Sequence, residues 1–121
     1  MKRFHYSASS SIFTQRQKVE DCVDFPITDL DLSEFMVGPI DAKAPPTYDL
    51  FAVSEHIGGL GGGHYTAVAK NAQAGKWFSF NDSIVTEVQP EAAVTPKAYV
   101  LFYRRSKGSL KWGGNTASKG M

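Results

Sequence analysis

At 121 residues the chain is long enough for one hydrophobic core and short for two, so a single domain or one piece of a larger domain is expected. Apolar residues make up 42% of it and charged residues 21%, the balance of a folded chain and not of a disordered tail. Thirteen Lys and Arg against twelve Asp and Glu leave a net charge of +1, which excludes a broad phosphate-tracking surface, and no apolar run approaches a membrane span. Neither nucleic acid nor membrane is therefore an expected partner. Ser-rich sequence and not a secretory core follows Met1-Lys2-Arg3-Phe4, so an intracellular protein, cytoplasmic or nuclear, is the expectation.

Residues 2–6 read as a short strand and 7–11 as a polar loop. Residues 19–25 alternate like a second strand, with Val19, Asp21 and Val23 on one side and Cys22 on the other, stopped by Pro26. Cys22 is the single cysteine, so an internal disulfide and a thiolate cluster are excluded. Its spacing from His5, His56 and His64 matches no tight zinc pattern, and no metal or cofactor is expected in this chain. A strand offers neither the access nor the helix terminus that stabilises a reactive thiolate, so Cys22 is expected to be a small buried hydrophobe.

In residues 27–36 the alternating leucines of Leu30-Asp31-Leu32 fit a helix and a strand equally, and the prolines and small residues of 38–46 argue for an irregular linker. Residues 48–54 form a strand with both faces substantially apolar, which predicts a central position in a sheet. Five glycines follow within residues 57–63, a stretch able to turn tightly or to lie against another backbone. Residues 64–70 and 76–81 are strands joined as a hairpin, 84–88 is a further strand, 90–95 a surface excursion and 98–103 a strongly apolar strand. Residues 106–121 read as a flexible tail. The fold class expected is mainly β, or α+β, built on an antiparallel sheet.

A connection running from Asn71 to Ala74 sets the hairpin register so that His64 faces Asn81, Thr66 faces Ser79 and Val68 faces Trp77 on one side of the sheet. Tyr65, Ala67, Phe78 and Phe80 then lie on the other side, expected to anchor the core. Directly opposed residues have Cβ atoms roughly 4.5–5.5 Å apart, close enough for an imidazole nitrogen to meet a carboxamide oxygen. A one-residue bulge would reverse that facing. A base histidine needs such a partner to fix its tautomer and ring direction. Asp82 is the adjacent carboxylate, which strand alternation turns away from the face of Asn81.

The runs Tyr48-Asp49-Leu50-Phe51-Ala52-Val53-Ser54-Glu55-His56, Gly62-Gly63-His64-Tyr65, Trp77 through Phe80-Asn81-Asp82, and Ala98-Tyr99-Val100-Leu101-Phe102-Tyr103 resemble the histidine box and terminal strands of ubiquitin-specific peptidases. Lys2-Arg3-Phe4 and Asp24-Phe25-Pro26 fit the strands before that box, so the resemblance covers about residues 1–105 as a partial catalytic domain. It implies the antiparallel-sheet palm half of a papain-like cysteine peptidase. In that family a separate thumb carries the nucleophilic cysteine, and zinc belongs to an upstream fingers region. His64 would be the general base and Asn81 the third triad member, with Asp82 beside it. His56, Gly62, Gly63 and Tyr65 would line the channel for the tail of ubiquitin. The function implied is a palm fragment of a deubiquitinase, a thiol protease of the ubiquitin conjugation pathway acting on ubiquitin or ubiquitinated proteins and inactive without the missing thumb. A non-catalytic ubiquitin-binding or interaction module is the alternative.

Overall fold

The computed structural model describes residues 1–8, 14–59 and 61–106. Residues 107–121 of the expected tail, residues 9–11 of the expected polar loop with 12–13 after it, and Leu60 of the glycine stretch lie outside the described residues; Ser106, expected to open the tail, is buried and donates its N–H to Thr47 O at 2.9 Å. Eight strands are described: β1 (Phe4–Ala8), β2 (Thr14–Lys18), β3 (Leu30–Asp31), β4 (Thr47–Ile57), β5 (His64–Asn71), β6 (Lys76–Asn81), β7 (Ile84–Val88) and β8 (Ala98–Arg105). Helical structure among the described residues is limited to the single 3-10 turns Ser33–Phe35 and Pro90–Ala93. No helix among them is long and apolar enough to cross a membrane. The architecture is mainly antiparallel β.

The chain divides into two compact units, Met1–Phe25 with Phe51–Phe102, and Pro26–Leu50 with Tyr103–Met121. In the larger unit β1 and β2 pair as an antiparallel ribbon, and β4, β5, β6 and β7 follow in antiparallel order with β8 also paired to β4. β4 is thus central, as its two apolar faces predict. Its core face carries Val53, which opposes Val68 of β5, and Trp77 of β6 lies on the same face. These side chains are buried together with Ala93 and Ala98. Full burial of such a side chain stabilises by about 1.5–3 kcal/mol, so this face is the one that holds the sheet. The opposite face, expected to be the core, leaves Phe80 and Tyr65 exposed.

Two sequence expectations fail in residues 14–25. Residues 19–25 form no strand, because the Arg3 guanidinium holds their backbone, donating to the carbonyls of Val19 and Asp21 while its Nε donates to Ala98 O at 2.9 Å. Cys22 is exposed in that irregular segment and not buried. The strand that does exist there is β2, whose sequence TQRQK carries no apolar alternation and which is fixed by backbone pairing with β1.

In the smaller unit β3 pairs with the first residues of β4, Leu30 opposite Tyr48 and Asp31 opposite Thr47. Asp31 accepts hydrogen bonds from the backbone N–H and hydroxyl of Ser33, which hold its carboxyl below the usual range. Tyr103 donates to Pro26 O at 2.6 Å, and burial raises its phenol above the usual range. Arg105 donates to Ala44 O at 3.1 Å and lies over the Tyr48 ring. Residues 27–36, which fitted helix and strand equally, thus contain a two-residue strand and a 3-10 turn.

Candidate active site

The hairpin between β5 and β6 turns through residues 72–75, not 71–74. Gly75 has φ +68°, a left-handed conformation that a side chain disfavours, so the glycine belongs inside the turn and not in the strand after it. Asn71 closes the turn: its Oδ1 accepts from the N–H groups of Gln73 at 3.0 Å and Ala74 at 2.9 Å, and its carbonyl accepts from Gly75 N–H at 2.8 Å. Asn71 therefore opposes Lys76, and Val68 opposes Ser79 in place of Trp77. The pairing differs from the expected one by two residues. Because side chains alternate with period two, such a slip preserves facing, where a one-residue slip would reverse it.

His64 and Asn81 consequently meet on a diagonal and not face to face. The imidazole Nε2 lies 2.7 Å from Asn81 Oδ1. The oxygen can only accept, so Nε2 donates, and in the neutral ring the lone pair is on Nδ1. Asp82 does not follow strand alternation, because it occupies the tight connection between β6 and β7 with φ +51°, a conformation Asp tolerates. From there its Oδ2 comes to 3.9 Å from His64 Nε2. The side chains of His64 and Asp82 are 44% and 80% accessible, so this second contact is solvent-screened and the asparagine bond is the geometric constraint.

The glycine loop between β4 and β5 is held from below. His56 is 5% exposed and packs against Phe4, Tyr65 and Tyr99, with ring centroids 5.8, 4.8 and 5.9 Å away. A Cβ at Gly63 would lie 2.4 Å from His56 Nε2 and 2.7 Å from Ile57 O, so only glycine fits immediately before His64. Gly58, at φ +106°, brings its own backbone against Gly63. Gly62 and Gly63 are exposed, as is the 60% accessible Tyr65. The four residues assigned to a tail channel thus separate into three at the surface and one, His56, beneath them.

Two residues were not singled out by the sequence reading. Lys18 donates from Nζ to His56 O at 3.0 Å and Gly58 O at 2.8 Å, fixing the entry to the loop from β2. Glu55 is a buried carboxylate on β4, and only its place on the Phe51, Val53, Glu55 face could have marked it. Among the described residues no group of three or more His, Cys, Asp or Glu is placed to hold a metal.

A hydrogen-bonded His–Asn pair at the mouth of a glycine loop, carried on an antiparallel sheet, is the arrangement of the palm portion of a papain-like cysteine peptidase. The chain belongs to the ubiquitin carboxyl-terminal hydrolase family, whose family model matches residues 1–103. It is 50% identical over 105 residues to ubiquitin carboxyl-terminal hydrolase 15 of Homo sapiens, covering 87% of this chain and 10% of that protein. Identity to ubiquitin carboxyl-terminal hydrolase 12 of Saccharomyces cerevisiae is likewise 50%, over 87% of this chain and 8% of that protein. Among solved structures, the SAGA Ubp8/Sgf11/Sus1/Sgf73 DUB module bound to ubiquitin aldehyde superposes with a TM-score of 0.72 at 30% identity, over 88% of this chain and 23% of that one. The chain thus spans about a tenth of these curated relatives and under a quarter of the solved chain.

Proposed function

We propose that the chain is the palm of a thiol-dependent deubiquitinase, hydrolysing isopeptide or peptide bonds after the C-terminal glycine of ubiquitin with a nucleophile supplied from outside these residues. The observation that carries this reading is the 2.7 Å bond between His64 and Asn81 beside the glycine loop. With Nε2–H committed to Asn81, the Nδ1 lone pair takes the proton of an incoming cysteine thiol. The thiolate attacks the carbonyl carbon of ubiquitin's C-terminal glycine, and the C–N bond breaks as His64 returns the proton to the departing amine, leaving a thioester. A water then gives its proton to His64 and its oxygen to the thioester carbon, releasing ubiquitin and the thiol. Asp82, at 3.9 Å from Nε2 and exposed, stands beside the pair on its solvent side.

Gly62, Gly63 and Tyr65 line the tail channel, and His56 supports it through Gly63. Backbone without side chains there admits a tail of small residues and rejects bulkier ones.

The test is reconstitution with a cysteine-bearing thumb and turnover of a ubiquitin C-terminal amide. Activity abolished by His64→Ala and retained by Cys22→Ser is expected. Ubiquitin binding without turnover would favour the non-catalytic module, and a ubiquitin thioester on Cys22 of the chain alone would overturn the external nucleophile.

A further inference from the structure

We propose that Glu55 is a positioning residue for His64, acting as a buried anion that clamps the end of β5 to β4. The carboxylate is 2% exposed and is not used in the acyl-transfer steps proposed above. Thr66 Oγ1 donates to its Oε1 at 3.0 Å, Thr95 Oγ1 donates to its Oε2 at 3.2 Å, and Lys97 Nζ lies 3.7 Å from Oε2. The segment carrying Thr95 and Lys97, between the 3-10 turn Pro90–Ala93 and β8, is also tied to β4 by the bond from His56 N–H to Lys97 O at 2.9 Å. A buried carboxylate without such partners would carry an uncompensated desolvation cost, so this donor set is what lets it sit there.

The reason it governs His64 lies in where the two ladders end. The β5–β6 ladder runs from Asn71 opposite Lys76 to Ala67 opposite Phe80, whereas the β4–β5 ladder continues through Glu55–Thr66 and His56–Tyr65 to Ile57–His64. The residues of β5 nearest the loop, His64 to Thr66, are therefore placed by β4, while Asn81 is placed by β6 and its pairing with Ile84. The histidine and its asparagine are held by different strands. Thr66 shares a face with His64, two residues along, and its hydroxyl bond to Glu55 is the side-chain tie that fixes the His64 end of β5. Loosening it lets the imidazole drift from Asn81 Oδ1 and lose its single tautomer.

The experiment uses the histidine ring and not turnover as its first readout, so its outcome stands apart from the deubiquitinase reading. Long-range proton–nitrogen spectra of the full chain, recorded where the rings are neutral, report the fraction of His64 protonated at Nε2. Glu55→Gln and Thr66→Val are expected to shift His64 from one tautomer to a mixture while the other sheet amides keep their positions, and Thr66→Ser to restore it. In the reconstituted enzyme, which rests on the proposed function, Thr66→Val lowers kcat about tenfold with KM little changed. If Glu55→Gln fails to fold, the Thr66 pair carries the result. An unchanged His64 tautomer in folded Thr66→Val, whatever its melting temperature, overturns the proposal.

Discussion

The side chain of Asn81 accepts a hydrogen bond from His64, and in the proposed function that bond decides which ring nitrogen serves as the base. Asn81→Ala leaves the ring free to rotate and to populate both tautomers, so kcat/KM of the reconstituted enzyme should fall about 10²-fold with KM little altered. Asn81→Asp retains an acceptor at the same distance and should keep most of the activity. Equal activity in wild type and Asn81→Ala would remove the asparagine from the mechanism. At this scale the sequence was readable for residue types and faces and unreadable for reach. His64 and Asn81 share a face under any even slip of register, so their meeting survived a wrong pairing. Strand alternation does not reach Asp82, which lies in a turn with φ +51°. Cys22 was expected to be buried because the segment around it was read as a strand, and the hold of Arg3 on those carbonyls is a long-range contact that no local pattern encodes.

Among the elements, the hairpin was legible in existence and wrong in its turn. The strands announced themselves by alternation, but the loop boundary depended on which side of the turn Gly75 fell. A residue at φ +68° belongs to the turn, and the two N–H groups received by the Asn71 side chain confirm where it starts. Gly75→Ala should destabilise the chain by about 1–2 kcal/mol, the cost of a left-handed Cβ, and Gly75→Asn by less. Urea midpoints at constant m-value measure the difference, and equal midpoints for all three proteins would place the conformational demand elsewhere. β2 was missed for the opposite reason. Its residues have no apolar rhythm, and pairing with β1 supplies through the backbone what its side chains do not advertise.

For the whole molecule, strands β5 to β7 bury one face of the sheet and leave the other open, while on β4 that second face is covered at His56. Val53, Val68 and Trp77 fill the first, while Ala67, Phe80 and Val85 form a row across three strands of the second through the pairings Ala67–Phe80 and Phe80–Val85. Phe80 is 39% and Val85 56% exposed, neighbours on adjacent strands with no charge between them. An apolar row of this kind on an open sheet face drives self-association by the same burial that holds the core. The 121-residue chain should therefore associate as its concentration rises. The double change Phe80→Ser with Val85→Thr removes apolar area from the open face and none from the buried one, so it should raise the concentration at which association sets in without lowering the urea midpoint. Thr is chosen at position 85 because a β-branched residue keeps the strand preference of valine. Sedimentation velocity over a concentration series distinguishes the two proteins. A double variant that associates as readily as wild type would mean that the contact surface lies elsewhere, and one that unfolds would mean that this row contributes more to stability than its exposure allows.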